Sequence, residues 1–184
     1  MSCTVLLFTS CKDQSKNSKS ESLNDSTDTE IEKQESNDTL VEDLKNYINT
    51  EYLTEADSRA ISKEQRKFQF ETMDLNNDGK KEVFVYFKTS YFCGTGGCTI
   101  LLLNDKLEPI TQFTVMTPPL FVEDTTENGW RTILTKSENK WRKLIYKDGT
   151  YPSNPSIVEN TDGTPTESAQ QLFAENNPLE SYSF

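Results

Sequence analysis

The chain has 184 residues, with 30 acidic side chains against 19 basic ones and a formal net charge of -11. Because so acidic a surface repels polyphosphate, nucleic acid is not an expected partner. Histidine is absent from the sequence, which removes histidine-based triads, histidine-metal sites and the usual proton shuttle near neutral pH. The length suits one domain and a tail, since a core of ordinary size needs about 100 to 150 residues.

The N-terminus reads MSCTVLLFTSCKDQ, in which a short apolar run over 5–8 precedes two small residues and Cys11. It resembles the lipobox of bacterial lipoproteins, in which this cysteine is lipidated and begins the mature chain. The run is shorter than usual, and no Lys or Arg precedes it. The resemblance implies a signal segment over 1–10 and a lipid anchor on Cys11. It places the protein on a membrane of the bacterial cell envelope, with the outer membrane expected.

Residues 11–37 are mostly Ser, Asn, Asp, Glu and Lys. Such a segment buries too little apolar surface to offset its ordering entropy, so we expect a disordered tether. The single folded domain is therefore predicted over 38–184. Its first element is an amphipathic helix with Asp38 as N-cap, and one apolar stripe is formed by Leu40, Leu44, Tyr47 and Ile48, with Val41 beside it.

A period of two begins after Lys67, which is typical of β-strands. Val83, Val85 and Phe87 are expected on one face of a strand, with Phe84 and Tyr86 on the other. Further strands are predicted over 99–103, 110–116, 120–122, 130–134 and 141–146, separated by turns at 104–105, 118–119, 128–129 and 148–149. Since short links favour antiparallel neighbours, we expect a β-meander of about six or seven strands.

A second helix is predicted after the strands. Thr164 and Glu167 have the spacing of a capping box with Pro165 between them, and Ala169, Leu172 and Phe173 follow as its apolar positions. The predicted fold class is therefore α+β, an antiparallel sheet with one helix before it and one after it.

The strongest chemical motif is the loop DLNNDGKKE at 74–82. It resembles the calcium loops of FG-GAP and dockerin-type proteins. Oxygen donors at alternate positions and a glycine at the sharp turn suit a hard cation; the predicted metal-binding positions are Asp74, Asn76, Asp78, Lys80 through its carbonyl, and Glu82. It is not a complete EF-hand, because position 12 is Val85. The alternative is a β-turn whose Asp and Asn side chains bind their own backbone without an ion.

Cys93 and Cys98 flank the loop Gly-Thr-Gly-Gly. They remain as a pair if Cys3 leaves with the signal segment and Cys11 is acylated, and the envelope is oxidising, so a structural disulfide is predicted. Closing so small a loop contributes about 2 kcal/mol. A redox-active pair and free thiols are the alternatives. Gly94, Gly96 and Gly97 would let the intervening backbone take positive φ and bring the two sulfurs together.

Four blocks in order, DLNNDGKKEVFVYF, YFCGTGGCTILLL, NGWRTIL and YPSNPS, are similar to a group of small bacterial envelope lipoproteins of unknown function. The likeness covers about residues 67–157. It implies an envelope location and this domain type, and it carries no activity across.

Three features remain open as functional surfaces. An arginine directly follows both Trp130 and Trp141. These pairs could present aromatic and cationic groups to a glycan or peptide. The alternative, which we expect, is that the tryptophans pack inward and the arginines point outward. The YPSNPS loop is expected to be exposed. The acidic doublet at 123–124 is commonplace and is not assigned a catalytic role.

We therefore predict a lipid-anchored envelope protein that acts by binding an unknown protein or glycan, and this interpretation is favoured over an enzyme. A calcium-braced loop is part of this prediction. Inhibition or partnership of cell-wall enzymes is one alternative, an enzyme of carboxylate type is a second, and a structural envelope component is a third.

Overall fold

The computed structural model describes residues 37–177 and 179–184. The signal segment, Cys11 and the linker up to residue 36 lie outside these residues, so their assignments stay predictions. Residues Leu40–Phe184 form one compact unit. In the part of the chain that is described, no helix is long and apolar enough to cross a membrane.

Helical segments come first. Helix α1 covers 37–47 and continues as a π-helical turn, Ile48–Tyr52, ahead of helix α2, Glu55–Ala60. Single 3-10 turns lie at Lys63–Gln65 and Pro155–Ile157. The described strands are β1 Lys67–Met73, β2 Glu82–Tyr86, β3 Cys93–Gly94, β4 Gly97–Leu103, β5 Pro109–Met116, β6 Leu120–Glu127, β7 Trp130–Ser137, β8 Lys140–Leu144, β9 Asn160–Thr161, β10 Gln170–Leu172 and β11 Tyr182–Ser183.

These strands form two antiparallel sheets. The first has the order β11-β1-β2-β4, with both β3 and β5 paired to β4. The second has the order β10-β6-β7-β8-β9. The predicted antiparallel sheet and the preceding helix are confirmed in this broader sense. The single meander of six or seven strands is wrong, because the chain changes sheet between β5 and β6 and adds four strands of two or three residues at the edges.

The first sheet is covered on both faces. Val83, Val85 and Phe87 face helix α1, together with Leu101 and Leu103 from β4. Phe84 and Tyr86 face the second sheet, as the alternation predicted. Strands buried on both faces are apolar at almost every position, and β2 is buried throughout. The second sheet contributes Val122, Ile133 and Leu144 to the shared core.

Helix α1 packs as its apolar stripe predicted. Leu44 and Ile48 are fully buried, and Leu40 and Tyr47 are half-buried against the same cluster. The predicted start of the helix is wrong, since Asp38 lies within the helix, one residue past its first described position, and is therefore not an N-cap. An apolar stripe specifies which face packs, whereas a helix end depends on a few local hydrogen bonds.

The helix predicted after the strands is not present in the described residues. Gln170–Leu172 forms β10 instead and pairs with β6. Just upstream, Glu123 accepts hydrogen bonds from the N–H of Thr166 (3.0 Å) and from its hydroxyl (2.5 Å). A sheet carboxylate thereby satisfies a backbone N–H that belongs to the first turn of the expected helix. The free edge of β6 supplies further hydrogen bonds, so strand pairing overrides the local helix signal.

Candidate functional site

The loop at 74–82 joins β1 to β2 and is held by its own side chains. Asn76 Oδ1 accepts a hydrogen bond from the N–H of Asp78 (3.0 Å), and Asp78 Oδ1 accepts one from the N–H of Lys80 (2.8 Å). Asn77 and Gly79 adopt positive φ, +59° and +85°, the left-handed region that Asn and Gly tolerate best. These contacts match the turn alternative.

Asp74 is the first residue of this loop, and its carboxylate lies against backbone N–H groups of the residues that follow. Its Oδ2 accepts a hydrogen bond from the N–H of Gly79 (2.9 Å). Its Oδ1 is shielded from solvent and has no hydrogen-bond partner among the described residues. Desolvation acts to raise the pKa of Asp74, but backbone N–H groups of the loop stabilise the ionised form and hold that pKa below its usual value. The carboxylate is therefore charged, with one oxygen lacking a partner.

Two other predicted metal-binding positions, Glu82 and Lys80, make contacts of their own. Glu82 is 3% exposed, and its Oε2 accepts a hydrogen bond from the N–H of Leu75 (2.7 Å); burial raises the pKa of this carboxyl. The ammonium of Lys80 forms an ion pair with Asp105 (2.9 Å). Lys80 could therefore bind a cation only through its backbone carbonyl oxygen. No three acidic or cysteine side chains of the described residues converge as a metal cage. A cation here would also need Asn76 and backbone oxygen.

The same loop contacts the second sheet through Arg131 on β7. The N–H of Arg131 donates to the carbonyl of Leu75 (2.7 Å), and its Nη2 donates to Asn77 Oδ1 (3.4 Å). Its Nη1 also pairs with Asp124 (3.3 Å). The loop therefore links the two sheets. In the acidic doublet, Asp124 pairs with Arg131 while Glu123 binds Thr166, so the two carboxylates serve different structural contacts.

Cys93 and Cys98 form the predicted disulfide, with Cα atoms 3.9 Å apart. They are directly opposite each other on β3 and β4. Among the three loop glycines only Gly97 has positive φ, +133°, so one glycine is enough to turn this backbone. A Cβ at Gly97 would lie 2.6 Å from the carbonyl oxygen of Met116. Glycine is needed there because strand β5 approaches the loop closely.

A cavity of about 650 Å³ lies beside this stapled loop. We call it the aromatic groove; its lining includes Gly96, Pro118, Phe121, Lys136 and Trp141. The rings of Phe121 and Trp141 meet edge to face, 5.4 Å apart. The ammonium of Lys136 lies 4.9 Å from the centroid of the Trp141 ring.

Strand register assembles this groove. Phe121 is opposite Leu134, and Lys136 is opposite Trp141, so these side chains share one face of the second sheet. The other face packs into the core through Val122, Ile133 and Leu144. Sequence reasoning singled out Trp141 but missed the groove. The missing signal was the pairing of three strands, because Phe121 and Trp141 meet although 20 positions separate them in the sequence.

The tryptophan-arginine pairs differ from the expected pattern of tryptophan inward and arginine outward. Arg142 is 6% exposed and donates to the carbonyl of Val158 (2.6 Å), while Trp141 is half-buried at the groove. Trp130 packs partly against the core and stacks on Tyr146, 4.1 Å between ring centroids. The inward interpretation therefore holds for Trp130 and is wrong for Trp141.

The YPSNPS loop is not exposed throughout, in contrast to the prediction. Tyr151 is 1% exposed, and its hydroxyl donates to the carbonyl of Arg131 (2.6 Å). Pro155 is also buried. Ser156 lines the aromatic groove, and Ile157 is 80% exposed. The loop is partly buried because Tyr151 packs into the core shared by the two sheets while its hydroxyl bonds a backbone carbonyl.

Comparison with known proteins gives no relative. No protein-family model matches the chain, and no match is found among curated proteins or solved structures.

Proposed function

We propose that this protein is a lipid-anchored, non-enzymatic binding module of the bacterial cell envelope, and that its ligand occupies the aromatic groove. The observation that carries the proposal is the half-buried pair Phe121 and Trp141 beside the stapled loop. Ligand sites are typically concave, with apolar and aromatic walls and a few polar groups, and have volumes of about 300 to 1,000 Å³. The groove, at about 650 Å³, falls within that range.

The groove combines an apolar floor with a polar rim. Trp141, Phe121 and the prolines supply the floor, while hydrogen-bonding side chains of Ser137, Asn139 and Ser156 line the edge. Such a surface suits an envelope glycan strand or an extended peptide, since an aromatic ring packs against the ligand and the rim fixes its orientation. The disulfide and the close approach at Gly97 favour a wall that is already ordered, which lowers the entropy cost of binding.

Purified peptidoglycan sacculi test this proposal, because they present both glycan strands and stem peptides. We expect the full chain carrying Cys11→Ser, called the unacylated chain below, to co-sediment saturably with sacculi. Trp141→Leu should weaken that binding at least about thirtyfold, the effect of losing a central aromatic contact. Ile157→Ser is the matched control, since Ile157 is exposed and lies outside the groove lining.

Equal binding by the Trp141→Leu variant, or no saturable binding by either protein, would rule out the groove as a sacculus site. Amidase treatment of the sacculi, which removes the stem peptides, separates the two ligand classes. Binding that survives the treatment assigns the groove to glycan, and binding that is lost assigns it to peptide.

The loop at 74–82 is proposed to bind calcium and to brace the contact between the sheets. Supporting observations are the unpartnered, shielded Oδ1 of Asp74 and its charged state. Oxygen ligands from Asp74, Asn76, Asp78 and Glu82, with the carbonyl of Lys80, suit a hard cation of this kind. Arg131 would then transmit the ordering of the loop to β7 through its contacts with Leu75 and Asn77.

The envelope location is proposed from the lipobox resemblance and the polar segment after Cys11. Acylation of Cys11 would anchor the chain by more than one acyl group, which makes attachment stable. In cells that process lipoproteins, we expect the natural chain in the membrane fraction and the Cys11→Ser variant in the soluble fraction. Finding both proteins in the same fraction would contradict the anchor.

A further inference from the structure

A second cavity, of about 540 Å³, lies next to the other half of the stapled loop. Cys93 and Gly94 line it, whereas Thr95 and Gly96 line the aromatic groove. We call it the tyrosine cleft, and its lining is Tyr52, Leu53, Asp57, Tyr91, Phe92, Cys93, Gly94, Thr99 and Gln112. A Cβ placed at Gly94 would meet nothing within 4 Å, so the backbone leaves this side open.

Tyr91 is the exposed wall of the tyrosine cleft. It is 41% exposed, which sets it apart from nearly all other large apolar side chains in the described residues. Its ring is nevertheless fixed at both ends. The ring stands edge to face against Phe92, 5.0 Å between centroids, and its hydroxyl donates to Asp57 Oδ1 (2.5 Å). An exposed aromatic ring held in one orientation presents a preorganised surface rather than a freely moving side chain.

Tyr52 forms the inner wall. Its ring stacks on Phe87 and Phe92, with centroids 5.4 and 6.3 Å apart. Gln112 donates a hydrogen bond to the Tyr52 hydroxyl (3.4 Å). Desolvation by burial, with the negative charge of Asp57 nearby, raises the pKa of Tyr52 to about 12. The phenol is therefore neutral at physiological pH, and the electron-rich ring is what it offers to a ligand.

Asp57 supplies the charge of the tyrosine cleft. Hydrogen bonds from the side chains of Thr54 and Tyr91 and from the backbone of Thr54 lower the pKa of Asp57, so it stays ionised. It forms no salt bridge with another described residue, and no Lys or Arg is among the residues that line the cleft. The cleft thus joins neutral aromatic rings to one negative charge that has no cationic partner among the lining residues, on a protein whose net charge is -11.

We infer that the tyrosine cleft binds a basic side chain, the ammonium of a lysine or the guanidinium of an arginine, presented by a protein partner. Aromatic rings attract cations through their electron-rich faces, by about 0.5 to 2 kcal/mol. The Asp57 carboxylate adds Coulombic attraction, and the acidic surface steers a basic partner toward the protein. This inference is independent of the aromatic groove, because the two cavities share no lining residue.

The test uses amide NMR of the unacylated chain titrated with two blocked peptides, Gly-Ser-Lys-Ser-Gly and its norleucine counterpart. Norleucine matches the lysine stem and lacks the charge. We expect saturable shifts centred on Tyr52, Asp57 and Tyr91 with the lysine peptide and none with norleucine. The arginine peptide should shift the same amides.

Two variants examine the two parts of the interaction. Asp57→Asn keeps an acceptor for the Thr54 cap and removes the charge, and Tyr91→Leu keeps apolar surface and removes the ring. Tyr91→Leu should weaken lysine binding about two- to thirtyfold, and Asp57→Asn, which removes an exposed charge, about one-and-a-half- to fivefold. Trp141→Leu should leave it unchanged, because Trp141 lines only the aromatic groove.

Three results would overturn the inference: equal binding of the norleucine peptide, lysine binding that survives both variants, or no saturable shift with either basic peptide. Amide spectra of the variants without peptide show whether helix α2 and the stapled loop are intact. Loss of lysine binding together with normal sacculus binding would separate this site from the proposed function of the groove.

Discussion

Replacing Tyr151 with alanine is expected to lower the free energy of unfolding by about 3 to 5 kcal/mol, the usual cost of deleting a buried aromatic ring. Tyr151 is 1% exposed, and its ring meets Phe113 of the first sheet and Trp130 of the second. Its hydroxyl also donates to the carbonyl of Arg131. Removal would leave a cavity between the sheets and a carbonyl without its donor. Urea unfolding of the unacylated chain, followed by circular dichroism, measures the loss.

Two variants serve as controls for this result. Tyr151→Phe keeps the ring and removes only the hydrogen bond, so its cost should be about 0.5 to 1.5 kcal/mol. Ile157→Ser changes a side chain that is 80% exposed, and it should lie within about 0.5 kcal/mol of the natural chain. If Tyr151→Ala proved as mild as Ile157→Ser, the packing of Tyr151 between the sheets would be contradicted.

Calcium is expected to raise the melting temperature of the unacylated chain by about 3 to 10 °C, and Asp74→Asn/Asp78→Asn is expected to abolish the rise. A dissociation constant of about 0.1 to 1 mM is usual for extracellular calcium modules. At about 10 mM calcium this affinity stabilises the folded state by about 1.4 to 2.7 kcal/mol. For a domain of this size, each kcal/mol corresponds to about 2 to 4 °C. Thermal melts in EGTA and in calcium give the shift.

The calcium-induced shift, rather than the melting temperature itself, is the quantity to compare between variants. Asp74 also accepts a hydrogen bond from Gly79, so its replacement changes stability even without calcium. Asp105→Asn is the matched control, since it breaks the nearby pair with Lys80 and removes no predicted ligand. Coincident melts of the natural chain in EGTA and in calcium would show that the loop is a turn held by its own side chains.

Much of the fold was predictable from periodicity. Alternation in 83–87 correctly divided Val85 from Phe84 between two faces, because successive strand residues point in opposite directions. Turn residues placed the breaks correctly as well, and Asn128 and Gly129 both take the positive φ that such a hairpin turn requires. The turn at Glu138 and Asn139, also at positive φ, was not anticipated.

The candidate sites were predictable in unequal measure. The residues of the loop at 74–82 and of the disulfide are close in sequence, so both features could be recognised from a short stretch of the chain. The aromatic groove and the tyrosine cleft each join residues from separate elements, such as Phe121 with Trp141 and Tyr91 with Asp57. No local pattern encodes those distances, because they depend on strand register and on how the helices pack.

The amino-acid sequence by itself determined most of the longer strands, the first helix and the residue types at the predicted turns, because side-chain alternation and backbone preference act over a few neighbours. Only the tertiary structure decided which sheet each strand joined and what became of 164–173. There the free edge of β6 and the carboxylate of Glu123 offered hydrogen bonds that outweighed the local signal for a helix. Tyr151 was likewise buried by tertiary packing, since the space between two sheets exists only after both have formed.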